Sequence, residues 1–126
     1  MRIALVGCGR ISRKHIEAIA SLEGRCSIEC LVDLNDESIG EALDRIKDCG
    51  TATKASPKCY KDFERLLEDI RQKKIKVDLA VLTTPSGLHS EQTCKLANLG
   101  IHICTEKPMA TNLKDGLRMK YECDKN

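Results

Sequence analysis

Residues 1–15 read MRIALVGCGRISRKH. An apolar run, Ile3 to Val6, breaks into two glycines one residue apart, Gly7 and Gly9, and then into side chains suited to a helix. Gly7, Gly9 and Ser12 occupy the three special positions of a G-x-G-x-x-(G/A) pattern, with Ser in the last. The first glycine permits a tight strand-to-helix turn, the second leaves room for a pyrophosphate to touch backbone, and the third position needs a small residue for close helix-to-strand packing. The helix that opens there presents unpaired amides and a positive dipole end to phosphates. Arg10 and Ile11, between the second glycine and Ser12, fall in the same turn and are assigned with it to a cofactor.

Two glycines alone say little, because glycine is common in turns. What strengthens them is Asp33, 24 positions after Gly9 at the end of a second apolar run. A carboxylate there can accept hydrogen bonds from both adenosine ribose hydroxyls and would repel a 2′-phosphate; Leu34 rather than an arginine follows, so the pattern predicts NAD over NADP. The competing reading of Asp33 is a plain turn residue within VDLND.

Short apolar runs alternate with helical patterns along the whole chain. The pattern predicts strands at about 2–6, 27–32, 79–82 and 101–104, with a weak short one near 52–55, and helices at about 11–22, 37–48, 62–72, 90–99 and 113–123. In the first helix Ile11, His15, Ala18 and Ile19 are expected on one face, and in the third Phe63, Leu66, Leu67 and Ile70. Gly50 and Gly100 stand where left-handed C-terminal caps are wanted. Strands that read as unbroken apolar runs between helices imply an α/β fold, a Rossmann-like doubly wound parallel sheet. Its sixth strand and any substrate domain are expected to be absent, leaving one domain over residues 1–126.

Composition narrows the function classes. With 41% apolar and 32% charged residues the chain is expected to fold as a globular domain. Aromatic residues are only 2%, which argues against a base-stacking nucleic-acid platform, and a formal net charge of +2 leaves no large electrostatic footprint for DNA or an acidic membrane. The local basic run, Arg71 to Lys76, reads as the solvated end of a helix. Eight cysteines include no C-x-x-C pair and no finger-type histidine spacing, so neither zinc nor any other metal is expected. Most cysteines are expected to be small buried hydrophobes in a reducing compartment, with Cys26, Ile28, Cys30 and Val32 on one strand face, Cys104 closing a buried strand, and Cys8 a spectator in the glycine turn. No signal peptide or membrane-length apolar run is read, and the predicted location is cytoplasmic.

Two segments at strand ends carry the rest: TTPSGLH (residues 83–89) and TEKPMAT (residues 105–111). In a doubly wound fold both lie at carboxyl ends of strands, where ligands bind. GCGRIS, VD, TTPSGLH and GIHICTEKPMA, in this order and spacing, resemble the N-terminal domain of the Gfo/Idh/MocA family of nicotinamide-dependent sugar oxidoreductases. TPSGLH followed by TEKPMAT, with Asp115, Gly116, Met119, Cys123 and Asp124 further on, is most similar within that family to dehydrogenases that oxidise the 3-hydroxyl of UDP-N-acetylglucosaminuronic acid for lipopolysaccharide synthesis. The resemblance implies that Lys107 lies beside the nicotinamide and the reacting sugar carbon and assists proton removal, and that Glu106 approaches the nicotinamide side. It implies that Thr84, Pro85 and His89 line the cofactor's ribose and pyrophosphate, and it makes a cis bond at Pro108 common.

Other readings stay open. His89 could pack at a helix start; His15 and His102 read as packing or surface residues. Family members take most sugar contacts and a catalytic Asp and His from an antiparallel sheet domain, through which they usually oligomerise. This chain alone is therefore expected to bind NAD with negligible turnover. The alternatives are a nucleotide-binding or redox-sensing module without catalysis, and a family dehydrogenase for another sugar, inositol or a pyrrole.

Overall fold

The computed structural model describes residues 1–50 and 56–126. The elements run β1 (Arg2–Val6), α1 (Ser12–Ala20), β2 (Ser27–Val32), α2 (Asp36–Asp48), β3 (Lys58–Tyr60), α3 (Phe63–Arg71), β4 (Leu79–Leu82), α4 (Ser86–Ala97), β5 (His102–Thr105) and α5 (Leu113–Lys125). The five strands form one sheet in the order β3-β2-β1-β4-β5, and every neighbouring pair is parallel. The chain is thus the expected α/β Rossmann-like, doubly wound sheet. Its strand order reverses between β1 and β4.

Parallel strands covered on both faces must be apolar on both faces. Ala4 and Leu5 in β1 are completely buried, and so are Ala80 and Leu82 in β4. On one face Ile3, Leu5, Ile28 and Leu31 pack against Ile16 and Ile19 of α1 and Ile39 and Ile46 of α2. On the other, Ala4, Val6, Val32 and Leu82 meet Leu66 and Leu67 of α3 and Leu96 of α4. Gly50 and Gly100 take the left-handed conformation expected after helices, at φ 60° and 69°.

Several details differ from expectation. The strand expected near 52–55 lies outside the described residues; the third strand described is Lys58–Tyr60, whose sequence KCY has no apolar run because it is a short edge strand with only Tyr60 buried. Cys26 and Cys30 do not share a face. Glu29 has no partner in β1, where Ile3 pairs with Ile28 and Ala4 with Cys30, so this extra residue sends Cys26 and Ile28 to one core and Cys30 and Val32 to the other. The buried stripe of α1 is Ser12, Ile16 and Ile19, while Ile11 and Ala18 are exposed. Four cysteines, 8, 26, 30 and 94, are buried, but Cys104 is exposed because β5 is a sheet edge. Helix α4 begins at Ser86 rather than 90; buried on several sides, it lacks the amphipathic rhythm that marks a helix start.

Asp69, unforeseen, is a buried carboxylate on α3 that accepts hydrogen bonds from Lys58 Nζ at 2.6 Å and Tyr60 Oη at 3.0 Å. It ties α3 to β3, and the Lys58 ammonium is the main reason its carboxyl is held below the usual carboxylate range. The starts of β1 and β4 are joined by Arg2, whose backbone N–H and Nε donate to Asp78 Oδ2 at 2.7 and 3.1 Å and whose Nη2 donates to Oδ1 at 2.5 Å. This guanidinium pulls the Asp78 carboxyl down from an ordinary 3.8 to about 2. A depressed carboxyl contributes stability that is present above its unfolded-state pKa and is lost as pH falls through the folded value. Both side chains are partly exposed, so Asp78→Asn is expected to cost about 0.5–1 kcal/mol at neutral pH. Urea unfolding should show this gap from wild type closing as pH falls from 3.8 towards 2.

Candidate functional site

At the divide between β1 and β4 the turn after β1 comes into close contact with the end of β4. Gly7 has φ 93°, and a Cβ there would lie 2.7 Å from the Thr83 carbonyl carbon and 2.8 Å from its oxygen and from the Thr84 nitrogen. Only glycine satisfies both the dihedral and the space. Its N–H donates to the Val32 carbonyl at 2.7 Å, and the Thr83 hydroxyl lies 2.5 Å from the Gly7 carbonyl oxygen. Gly9 is different: no atom lies within 4 Å of where its Cβ would be. The fold therefore requires glycine at 7, and leaves an open approach to backbone at 9. Ser12 is buried with its hydroxyl donating to the Gly9 carbonyl at 2.6 Å, which closes the turn against α1.

Asp33 reaches into the same turn. Its Oδ2 accepts from the Cys8 N–H at 2.7 Å and its Oδ1 from the Asn35 N–H at 2.9 Å. It is a turn residue and, being only half-buried, still offers free lone pairs to a ligand. Burial, reinforced by the Asp33 charge, pushes the Cys8 thiol up to about 12, so Cys8 carries no thiolate.

A cleft of about 720 Å³ opens here, along the carboxyl ends of β1, β2 and β4. Gly7, Gly9, Asp33, Thr84 and Pro85, all expected at the site, line it. Lys61, Phe63, Leu88 and Gln92 line it too. Those four were not read from the sequence; the signal available was Leu88 and Gln92 at i, i+4, one stripe of α4. The Thr84 hydroxyl donates to Gln92 Oε1 at 2.6 Å, and Lys61 Nζ pairs with Asp36 at 2.6 Å.

The helices around the cleft are distinguished by their starts. α2, α3 and α5 are capped by the side chains of Asn35, Asp62 and Asn112 and carry an acidic residue in the first turn. α1 and α4 have neither a side-chain cap nor an acidic first turn. Backbone carbonyls take up part of the demand, Gly9 and Ile11 accepting from the Ser12 and Lys14 N–H groups and Pro85 from that of Leu88, and the positive dipole ends stay without an acidic side chain. Arg10 and Ile11 are exposed at the start of α1 and are not among the lining residues.

The segment after β5 lies beside this cleft, with the Glu106 N–H donating to the Leu82 carbonyl at 3.0 Å. His89 is fully buried in the fourth position of α4 rather than facing the cleft. Its Nε2 lies 2.8 Å from the Thr84 carbonyl oxygen and its Nδ1 3.1 Å from that of Pro108, joining the two loops. The Lys107–Pro108 bond is cis. Lys107 is exposed, its backbone N–H donating to Glu106 Oε2 at 3.2 Å. Glu106 Oε1 is 2.7 Å from His15 Nε2, a contact across 91 positions. That hydrogen bond, with the Lys107 N–H second, holds the Glu106 carboxyl below its ordinary value. Among the described residues no group of three or more His, Cys, Asp or Glu is placed to hold a metal, and no helix is long and apolar enough to cross a membrane.

A family model described as the oxidoreductase family GFO_IDH_MocA, NAD-binding Rossmann fold, matches residues 1–126. The chain belongs to the Gfo/Idh/MocA family. As its NAD-binding domain, it is similar to the WlbA dehydrogenase of Bordetella pertussis, solved with NADH and UDP-GlcNAcA: 36% identity, TM-score 0.82, covering 99% of this chain and 32% of that one. Myo-inositol 2-dehydrogenase of Thermotoga maritima is 28% identical over 125 residues, 99% of this chain and 33% of the relative. The 4-carboxy-2-hydroxymuconate-6-semialdehyde dehydrogenase of a Sphingobium strain is 27% identical over 115 residues, 91% of this chain and 32% of the relative. The chain thus spans about a third of the proteins it matches.

The Gly7 contact generates a direct expectation. Gly7→Ala sets a side chain against rigid backbone at a left-handed φ, and should lower unfolding stability by roughly 3 kcal/mol or prevent folding. Urea unfolding followed by circular dichroism measures it.

Proposed function

We propose that this chain is the NAD-binding part of a dehydrogenase that oxidises a ring hydroxyl of a nucleotide sugar, the 3-hydroxyl of UDP-N-acetylglucosaminuronic acid, in lipopolysaccharide synthesis. The observation that carries the reading is the 36% identity to WlbA across a fold that superposes at TM-score 0.82, against 28% to the inositol dehydrogenase.

The residues present fit the cofactor. Open backbone at Gly9 and the uncapped start of α1 suit a pyrophosphate, with Arg10, Ile11 and Ser12 shaping the turn. Asp33 suits the adenosine ribose, and Thr84 and Pro85 the cofactor's course across the switch point. From there the nicotinamide end would fall towards the carboxyl ends of β4 and β5, where Glu106 and Lys107 stand. Bound NAD supplies the hydride acceptor. In its neutral amine form Lys107 would accept a hydrogen bond from the reacting hydroxyl and take up its proton as the C–H bond breaks. His89 would act through the loops it joins, as a positioning residue rather than a cofactor contact.

Three measurements test this. Titration calorimetry should give tighter binding of NAD than NADP. Because Asp33 also holds the Cys8 amide, Asp33→Ala weakens both; the deciding quantity is their ratio, expected to fall at least about tenfold with the loss of two hydrogen bonds to a charged group. Gly9→Ala, with nothing in its way, should keep wild-type unfolding stability and still lose roughly tenfold or more in NAD affinity. The protein that carries this domain is expected to form NADH with UDP-N-acetylglucosaminuronic acid. The similarity to myo-inositol 2-dehydrogenase favours a second reading, an inositol dehydrogenase, which NADH formation with myo-inositol instead would establish.

A further inference from the structure

We propose that His15 is a positioning residue: from α1 it fixes the Glu106 carboxylate at the nicotinamide end of the cofactor site, so that this charge favours NAD⁺ over NADH. The inference rests on the cofactor placement proposed above.

Both oxygens of Glu106 are held by the protein, Oε1 by His15 Nε2 at 2.7 Å and Oε2 by the Lys107 backbone N–H at 3.2 Å. The backbone is held as well, since the Glu106 N–H donates to Leu82. His15 and Glu106 are each only about a fifth exposed, 23% and 22% at the side chain, so water competes weakly for the contact. The neighbouring cation, the Lys107 ammonium, is exposed and forms no ion pair among the described residues. Besides His15, the cation whose charge acts on the Glu106 carboxylate is Lys107, and without His15 a swing towards it would both move the carboxylate and neutralise the lysine. His15 donates Nε2–H either as the neutral ε tautomer or as imidazolium, so the restraint does not depend on one protonation state. The oxidised nicotinamide ring is cationic and the reduced ring is neutral. A carboxylate fixed beside it therefore attracts one and is indifferent to the other. ADP-ribose, which lacks the ring, reports the rest of the site.

The test is the affinity of the chain for NAD⁺, NADH and ADP-ribose by calorimetry in wild type, His15→Ala, His15→Gln and Glu106→Gln. Expected are ADP-ribose binding within about twofold of wild type throughout, and an NAD⁺-to-NADH affinity ratio that falls roughly three- to tenfold in His15→Ala and Glu106→Gln. The ratio should recover in His15→Gln, whose amide N–H can still reach Glu106. Adding His15→Ala to Glu106→Gln should change the ratio no further. An unchanged ratio in His15→Ala with ADP-ribose binding intact overturns the inference alone. Equal weakening of all three ligands in His15→Ala does so too, since it marks a merely structural role. Failure of the wild type to bind any of them overturns the proposed cofactor site, and this inference falls with it.

Discussion

The structure depends on the contact between two pieces of backbone, Gly7 and the Thr83–Thr84 peptide. β1 and β4 are central neighbours whose following helices lie on opposite faces, so the chain must diverge at their carboxyl ends, and the gap between the diverging turns is where a ligand can enter. Because Gly7 lets the first turn sit directly on the second, the cleft is floored by backbone. The Thr83 hydroxyl against the Gly7 carbonyl reinforces that floor. Asp33 extends the constraint to β2 by holding the Cys8 amide, so three strand ends are fixed relative to one another before any ligand arrives.

Charge follows the same division. Three helix starts, that of α3 at the cleft among them, use a preceding side chain and an acidic first turn to satisfy orphan amides; those of α1 and α4 do not. A side-chain cap typically contributes about 1 kcal/mol. Leaving the starts of α1 and α4 without one forgoes that contribution in the free domain. The two histidines then attach the segment after β5 from two sides, His89 through the Thr84 and Pro108 carbonyls and His15 through Glu106.

Much of this was legible in the sequence because it is written in single residue types. A position needing φ 93° and no Cβ must be Gly, and Gly7 says so on its own. Strands buried on both faces must be apolar runs, and LAVL and RIALV are. The rest depends on pairing that no local window contains. Glu29 is an ordinary strand residue until β1 declines to pair with it, and that decides which core receives Cys30. Cys104 looks buried until the sheet order makes β5 an edge. Asp69 looks like a solvent-facing helix residue until Lys58 and Tyr60 meet it from β3.

His15 is the sharpest case of this kind. From sequence it is one polar residue on an amphipathic helix, and its spacing from Ile11 and Ile19 suggests packing. Its partner is 91 positions away, and the two meet because β5 lies beside β4 and β4 beside β1, which brings the segment after β5 over the start of α1. A side chain whose role is to orient another leaves no local signature, since its identity is set by what it must donate rather than by the helix it sits on. The glycine turn and its aspartate are therefore readable from the chain as text, whereas the residues that hold the segment after β5 in place emerge only from the order of the strands.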